Sequence, residues 1–568
     1  MISLSRKLLI PCVMLMLAGC GGGSSQLVIP NITLAQPPVS SIAAGTTLQF
    51  SATISNSNNT TVLWYVDGFP GGNGTVGTIS PQGLYSAPNI PPANGSVTIS
   101  ASPQAYPVAI TSVIIGISFA NVSLNGNYIF ALSGTQSGSP WAAAGIFTAH
   151  GDGTISNGSE DINASSGVSP GLAFNGSYLI DSNGQGSATF TSSQGIINIQ
   201  FTLNSQGQAV AMRSDTGTVA AGNLYPQDAS ALTLTSLNAP YVLSFTGSDQ
   251  AGKPLNIIGQ FVTNGSTTLA SGTEDVNAAG AESNQPFSGT YSIGSNSRGT
   301  AVFTDAAGTR DYSFYIVSSS HLQFIETDSS GHLSGGVFQQ QGLTSTTTLV
   351  GSYVFSAGGV EGTAGYGVAG QFSTNTTVSG GLQSGSMDVN SGGNAASSAT
   401  LTGSFTVPGA TGRGSFTLTG TSGTTNYAFY LVSPTAAVVL TTDAGINAAG
   451  SLFTQSGGFT TASFSGTYGL QLAGTNGATP PAAAVGTVLL DGAGNLSGSQ
   501  VQNNNGTLSG ALSTTGTYTF STAFRGTATL ITNGGTTSNV VIYPVSSSAL
   551  IVLGLNTPPL VGTLARQF

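Results

Sequence analysis

The sequence predicts an all-β protein: a short N-terminal strand module followed by four tandem eight-strand antiparallel meanders, each closed as a barrel or, alternatively, flattened as a sandwich. Three observations predict it. One residue plan recurs four times, with openings at Tyr128, Tyr241, Tyr353 and Tyr468 spaced by 113, 112 and 115 residues (241−128, 353−241, 468−353). A second aromatic follows at Tyr178, Tyr291, Phe405 and Tyr518, with spacings of 113, 114 and 113. A period this long is a whole small domain, so the copies are expected to form a row of self-contained bodies. Charged residues make up only 5% of the chain, which leaves little for the exposed faces of long amphipathic helices. Short period-two runs broken by Gly, Pro and Asn fill the rest, as strands and turns do.

The N-terminus carries Arg6 and Lys7, then an apolar run from Leu8 to Leu17, then Ala18, Gly19 and Cys20. About ten apolar residues after two basic ones form a secretory signal, too short to span a bilayer as a helix. The Leu-Ala-Gly-Cys ending resembles a bacterial lipobox. That resemblance implies cleavage before Cys20, a diacylglycerol thioether on its sulfur and acylation of the new amino terminus. Several acyl chains anchor far more firmly than one. Gly21 stands where an aspartate would resemble an inner-membrane retention signal, so the expected address is the outer membrane, on its periplasmic or cell-surface face. Gly21 to Ser25 then make a flexible tether. Cys12 lies in the removed segment and Cys20 is lipidated, so no cysteine remains for a disulfide, a nucleophile or a metal.

Residues 29–118 hold the first module. The segment 47–54 (TLQFSATI) alternates apolar and polar residues, and 62–68 (VLWYVDG) places Trp64 and Val66 on one face and Leu63 and Tyr65 on the other. The order W-x-V-x-G, G-x-I-S-x-x-G-x-Y-x-A-P, V-x-I-x-A resembles the Ig-like modules of bacterial surface proteins. It implies a seven-strand sandwich with Trp64 in the core, a spacer or adhesive role and no catalytic residues. Gly72, Gly74 and Gly77 match a dinucleotide-binding spacing, but no helix follows to face a pyrophosphate, so this is a loop.

The four repeats occupy 119–229, 234–342, 346–457 and 461–568, after a signal peptide at 1–19 and a lipidated tether at 20–28. In the second copy, strand-like runs fall at 241–247, 257–263, 268–277, 287–294, 299–305, 311–317, 321–328 and 335–341. Eight consecutive hairpin-linked strands can close into a barrel that leaves no unpaired edge. By strand count and order such a meander is similar to the lipocalin and avidin class, and no binding residue carries over from either. In the third copy the run 427–432 (YAFYLV) is apolar on both faces, which predicts cover on both sides or contact with a neighbouring module.

Nine basic and 19 acidic residues give a net charge of −10, and loss of Arg6 and Lys7 leaves seven against 19, or −12. Such a chain has no basic surface for a nucleic acid partner. In so uncharged a chain, ions that return at fixed repeat positions are conspicuous. Arg298, Arg413 and Arg525 each precede a glycine, where the first copy has Gln185 and Gly186. Asp161, Asp275 and Asp388 each open an Asp-x-Asn with Asn163, Asn277 and Asn390, where the last copy has Gln502 and Asn503. Asp215, Asp328 and Asp443 each stand twelve residues before a closing glutamine, Gln227, Gln340 or Gln455. The arginine is expected to close one barrel end, stacked on an aromatic or forked onto one of these aspartates. The functional alternative is an anionic ligand on the arginine, or Asp-x-Asn oxygens at a calcium ion.

Catalytic constellations are thin. His150, His321 and His332 are the only histidines and stand at non-equivalent positions. Gly167 to Gly171 match a nucleophile-elbow string with no helix after it. Asp152 and Asp491, each before glycine, fit hairpin turns. Glu160 and Asp161 point to opposite faces of a strand and make no acid–base pair. The expectation is a non-enzymatic envelope lipoprotein without metal or cofactor, with a structural or adhesive role toward a glycan, matrix or envelope protein. The alternative is a small-ligand carrier with one pocket per barrel.

Overall fold

The computed structural model describes residues 29–568, apart from 232, 295–296, 344–348, 375–379, 399, 407 and 475–480. The leader, the lipobox with Cys20, and the tether lie outside the described residues.

The first module is built from three sheets. A five-stranded sheet carries Val62–Val66 and the long strands Ser96–Pro103 and Thr111–Ser118, a four-stranded sheet carries Gly77–Ile79 and Leu84–Ser86, and a two-stranded ribbon pairs Asn31–Leu34 with Ala52–Ser55. All three contribute to one core around Phe50, Trp64 and Tyr85. Trp64 and Val66 are buried and the alternate residues are less so, as the period-two pattern requires.

Each repeat is an antiparallel meander of eight strands closed on itself. Barrel 1 runs from Asn125–Gln136 to Thr218–Pro226, and barrel 2 from Pro240–Ser248 to Ser334–Gln339. The eight runs read from the second copy coincide with its eight strands. In barrel 3 the fourth strand is split: Asn394–Ser398 pairs with the third strand and Thr402–Phe405 with the fifth. Barrel 4 closes where Ala482–Asp491 pairs on both sides, with Ser465–Gly474 and Asn495–Asn504. Closure, rather than a flattened sandwich, leaves no edge strand exposed to another chain. Each barrel keeps its own aromatic-rich interior.

Glycines at one repeat position allow this filling. Gly186, Gly299, Gly414 and Gly526 open the fifth strands, and a Cβ on any of them would lie 2.1–2.5 Å from the ring of Phe201, Phe314, Phe429 or Phe520. The glycine that follows each arginine is therefore the floor on which an aromatic ring lies.

The copies do not form a row. Four apolar clusters join barrel 1 to 2, 2 to 3, 3 to 4, and 4 back to 1. The run at 427–432 shows how: Phe429 points into barrel 3, while Ala428 and Tyr430 are fully buried against Val242 and Ile258 of barrel 2. Each such buried large side chain contributes about 1.5–3 kcal/mol. A strand apolar on both faces thus has one face in its own barrel and the other against the preceding one. The fourth cluster, Met212 and Val219 with Ala483 and Val485, closes the ring.

Candidate functional site: the barrel junctions

Each junction is built from the outward faces of strands 1 to 3 of one barrel and strands 5 to 8 of the next. Along strand 3 of barrel 1 (Thr154–Ala164), alternation sends Glu160 inward and Asp161 and Asn163 outward. Arg298 of barrel 2 forks onto Asp161, with Nε at 2.8 Å and Nη2 at 2.7 Å, and Tyr315 donates its hydroxyl at 2.5 Å. The Gly171 amide donates to the same carboxylate at 2.9 Å. Arg298 and Tyr315 are register partners on adjacent strands, so both reach one acceptor. The arrangement repeats with Arg413, Tyr430 and Asp275, and again with Arg525, Tyr543 and Asp388. The three aspartates are 0–1% exposed. Hydrogen bonding to Asp161 raises the Arg298 pKa, and the same contact raises those of Arg413 and Arg525. Burial, then Asp161, raises that of Tyr315, so the phenol stays protonated and donates.

Two residues from the sequence reading are thereby relocated. The arginine forks onto one of the repeated aspartates, yet it closes no barrel end: the aspartate belongs to the preceding barrel, because the arginine lies on the outer face of its strand. The aspartate carboxylates and asparagine amide nitrogens of Asp-x-Asn are engaged across the junction instead of facing an open coordination site. Asn163 Nδ2 donates to the Glu326 and Gly331 carbonyls, both at 2.9 Å. Asn277 does the same to Thr441 and Ile446, and Asn390 to Gly554 and Asn556. Asn503 of barrel 4 donates to the Arg213 and Thr218 carbonyls of barrel 1, at 2.9 and 2.6 Å. Among the described residues no group of three His, Cys, Asp or Glu side chains is placed to hold a metal.

The closing glutamines form a second clamp. Gln227, Gln340 and Gln455 donate forward to the Ile316, Leu431 and Pro544 carbonyls. Gln567, the penultimate residue, donates to Leu203 of barrel 1 at 2.7 Å. The last residue, Phe568, lies 5.1 Å from Phe119 and packs against the barrel 1 core, beside Gly95 of the N-terminal module.

Asp215, Asp328 and Asp443 belong to a different, intra-barrel device. Asp215 accepts the Asn198 backbone and side-chain amides and Asp443 those of Asn426, while Asp328 accepts the Asp311 amide. Each ties the sixth strand to the loop after the seventh. Of the three, only Asp215 makes an ion pair among the described residues, with Arg213 at 2.6 Å. Asp152 and Asp491 cap their turns by accepting the amides of Thr154 and of Ala493 and Asn495.

The fourth junction lacks the ionic triad as a set. The register places Val501 at the aspartate's position, Gln185 at the arginine's and Thr202 at the tyrosine's. Gln185 donates to Thr487 and Ser499 instead, at 2.7 and 2.5 Å. Replacing one member alone would strand a buried charge, which costs about 3–5 kcal/mol. Replacing all three leaves a neutral seam.

Inside the barrels the level of Glu160 carries a different filling in each copy. In barrel 1 Glu160 is fully buried and Arg213 lies 4.3 Å over Trp141. Barrel 2 has Glu274, hydrogen-bonded to Gln285, and Arg310 paired with Asp305 at 2.7 Å and near Glu326. Burial pushes Glu160 and Glu326 up to about 7 and Glu274 up to about 8. In barrel 3 Met387, Tyr366 and Tyr427 fill the space. The interior of barrel 2 below its ionic cluster leaves a void of about 20 Å³ lined only by apolar contacts, room for one water at most. A pocket in every barrel is therefore not what the interior provides.

Tyr315, Tyr430 and Tyr543 were not singled out from the sequence. Their signal was available: each follows its arginine by 17 or 18 residues (315−298, 430−413, 543−525).

No protein-family model matches the chain. No curated protein matches it either. Among solved structures, a double mutant of transferrin binding protein B from Haemophilus parasuis is 8% identical, with 69% of this chain and 85% of that one covered, at a TM-score of 0.18. The isotype 1 transferrin binding protein B from serogroup B Neisseria meningitidis is also 8% identical, with 63% and 84% covered, at a TM-score of 0.15.

Proposed function

We propose that this protein is a non-enzymatic lipoprotein of the cell envelope, anchored through Cys20 in the outer membrane, whose ring of barrels is a rigid binding platform. The observation that carries the reading is how the charge is spent. Five of the seven basic residues beyond the leader, Arg213, Arg298, Arg310, Arg413 and Arg525, sit in largely buried ion pairs that hold barrels closed or together. The recurrent arginines thus have structural partners, and the surface is left to Ser, Thr, Asn and Gly on strands and turns, with scattered carboxylates such as Asp152, Asp228 and Asp491. Such a surface suits several weak, neutral contacts with a glycan, a matrix component or an envelope protein, adding through avidity. An Ig-like first module would space the ring from the anchor.

Two measurements test this. In cells fed a labelled fatty acid, the wild-type chain should take up label and fractionate with the outer membrane, and Cys20→Ser should do neither. The purified ring should be retained on peptidoglycan, envelope polysaccharide or matrix glycoprotein surfaces. Equal membrane partition of Cys20→Ser, or retention on none of the three surfaces, overturns the reading.

A further inference from the structure

Barrel 4 differs from its siblings where they are plugged. Register equates Trp141, Leu255, Tyr366 and Ala482 on the second strands, and Ile199, Tyr312, Tyr427 and Val540 on the sixth. Alanine and valine thus replace bulky side chains on two walls of one end. The inner face of strand 3 changes with them. It reads Glu160, Ile162, Ala164 in copy 1, Glu274, Val276, Ala278 in copy 2 and Met387, Val389, Ser391 in copy 3. In copy 4 it reads Gln500, Gln502, Asn504, three carboxamides two residues apart on one face.

These substitutions open a cavity of about 530 Å³, with Leu472, Ala484, Leu530 and Val540 among its apolar walls and the three carboxamides along one side. That volume lies within the range that takes a small molecule. Gln500 donates to Thr514 at 3.2 Å, whereas the side chains of Gln502 and Asn504 make no hydrogen bond among the described residues. Among the described residues no Asp, Glu, Lys, Arg or His lines the cavity. A charged guest would lose its hydration there without a counter-ion, so the site selects against charge. An aliphatic body against the apolar walls, with hydroxyl or carbonyl groups facing the carboxamides, satisfies both sides.

We propose that barrel 4, alone of the four, is a binding site for one uncharged small amphiphile, an aliphatic body with a hydroxyl or carbonyl edge. The inference narrows the carrier alternative to a single barrel and does not rest on the anchor or the platform, since it is tested on the mature chain without lipid.

The test is fluorescence titration with N-phenyl-1-naphthylamine, an uncharged probe, with 1-octanol and octanoate as competitors at neutral pH. Wild-type protein should bind one probe per chain, and 1-octanol should displace it at lower concentration than octanoate. Ala482→Tyr and Val540→Tyr each insert the side chain that barrel 3 carries at that place, as Tyr366 and Tyr427. Each variant should weaken probe binding by about tenfold or more, with an unchanged or raised melting temperature. Made separately, they keep the test decisive if one fails to fold. Absence of saturable binding, a stoichiometry of several probes per chain, undiminished binding by a folded variant, or octanoate competing as well as octanol overturns the proposal. Failure here leaves the anchoring and retention results untouched.

Discussion

Replacing Arg298 by methionine removes the counter-charge of a fully buried carboxylate while keeping most of the side-chain volume. Asp161 would retain two neutral donors, the Tyr315 hydroxyl and the Gly171 amide, and lose both guanidinium bonds. Breaking a buried pair from one side costs about 3–5 kcal/mol, because the remaining charge is held away from water. The pair is asymmetric: the arginine side chain is 21% exposed and the aspartate 0%. Asp161→Asn therefore leaves a cation that can turn toward solvent, at a cost of about 1–3 kcal/mol. The double variant strands no charge and should be less damaged than Arg298→Met alone. Hydrogen exchange of the strand at 154–164 reads this locally, since the cost falls on opening the junction between barrels 1 and 2 rather than on either barrel's interior. The cycle should give a coupling of about 1.5 kcal/mol or more. A loss below about 1 kcal/mol for Arg298→Met, or a double variant equal to the sum of the singles, refutes the argument.

Three further outcomes follow from the same geometry. A carboxyl whose pKa is higher in the folded state holds its proton more tightly there, so its contribution is complete below the unfolded value and disappears as pH rises through the folded one. For Glu160, raised from 4.5 to about 7 by burial, this removes roughly 3 kcal/mol by pH 8–9. The melting temperature should fall between pH 5 and 8.5, and Glu160→Gln should flatten that fall; a melting temperature that rises over this range contradicts it. Deleting Gln567 and Phe568 removes a clamp and an aromatic contact from the seam between barrels 4 and 1, so limited proteolysis should open that seam first while the other three junctions stay protected. Gln185→Ala, at the neutral junction, should cost under about 1.5 kcal/mol, well below Arg298→Met in the same exchange measurement.

Much of the architecture could be read along the chain because strand alternation and turn residues are local signals. The eight runs in copy 2 needed only neighbours in sequence, and the aromatic spacing alone announced four copies. The Asp-x-Asn and Arg-Gly positions were equally visible, since a chain with 5% charged residues makes each recurrent ion stand out. Their partners were not visible. Asp161 and Arg298 are 137 residues apart (298−161), and one repeat period plus a remainder does not say whether an ion turns inward, sideways or to a neighbour. The double-sided apolar strand at 427–432 hinted at a neighbour without saying which one.

What the sequence by itself determined was an all-β chain of four like units, with strands placed by period-two alternation and ions placed by repetition. Only the tertiary structure decided that the units close head to tail, so that Asn503 and Gln567 return to barrel 1. It alone decided that the fourth seam dispenses with charge and that barrel 4 keeps its space open. The physical reason is that alternation specifies which face of a strand a residue occupies, whereas the partner on that face is chosen by surfaces hundreds of residues away meeting in three dimensions.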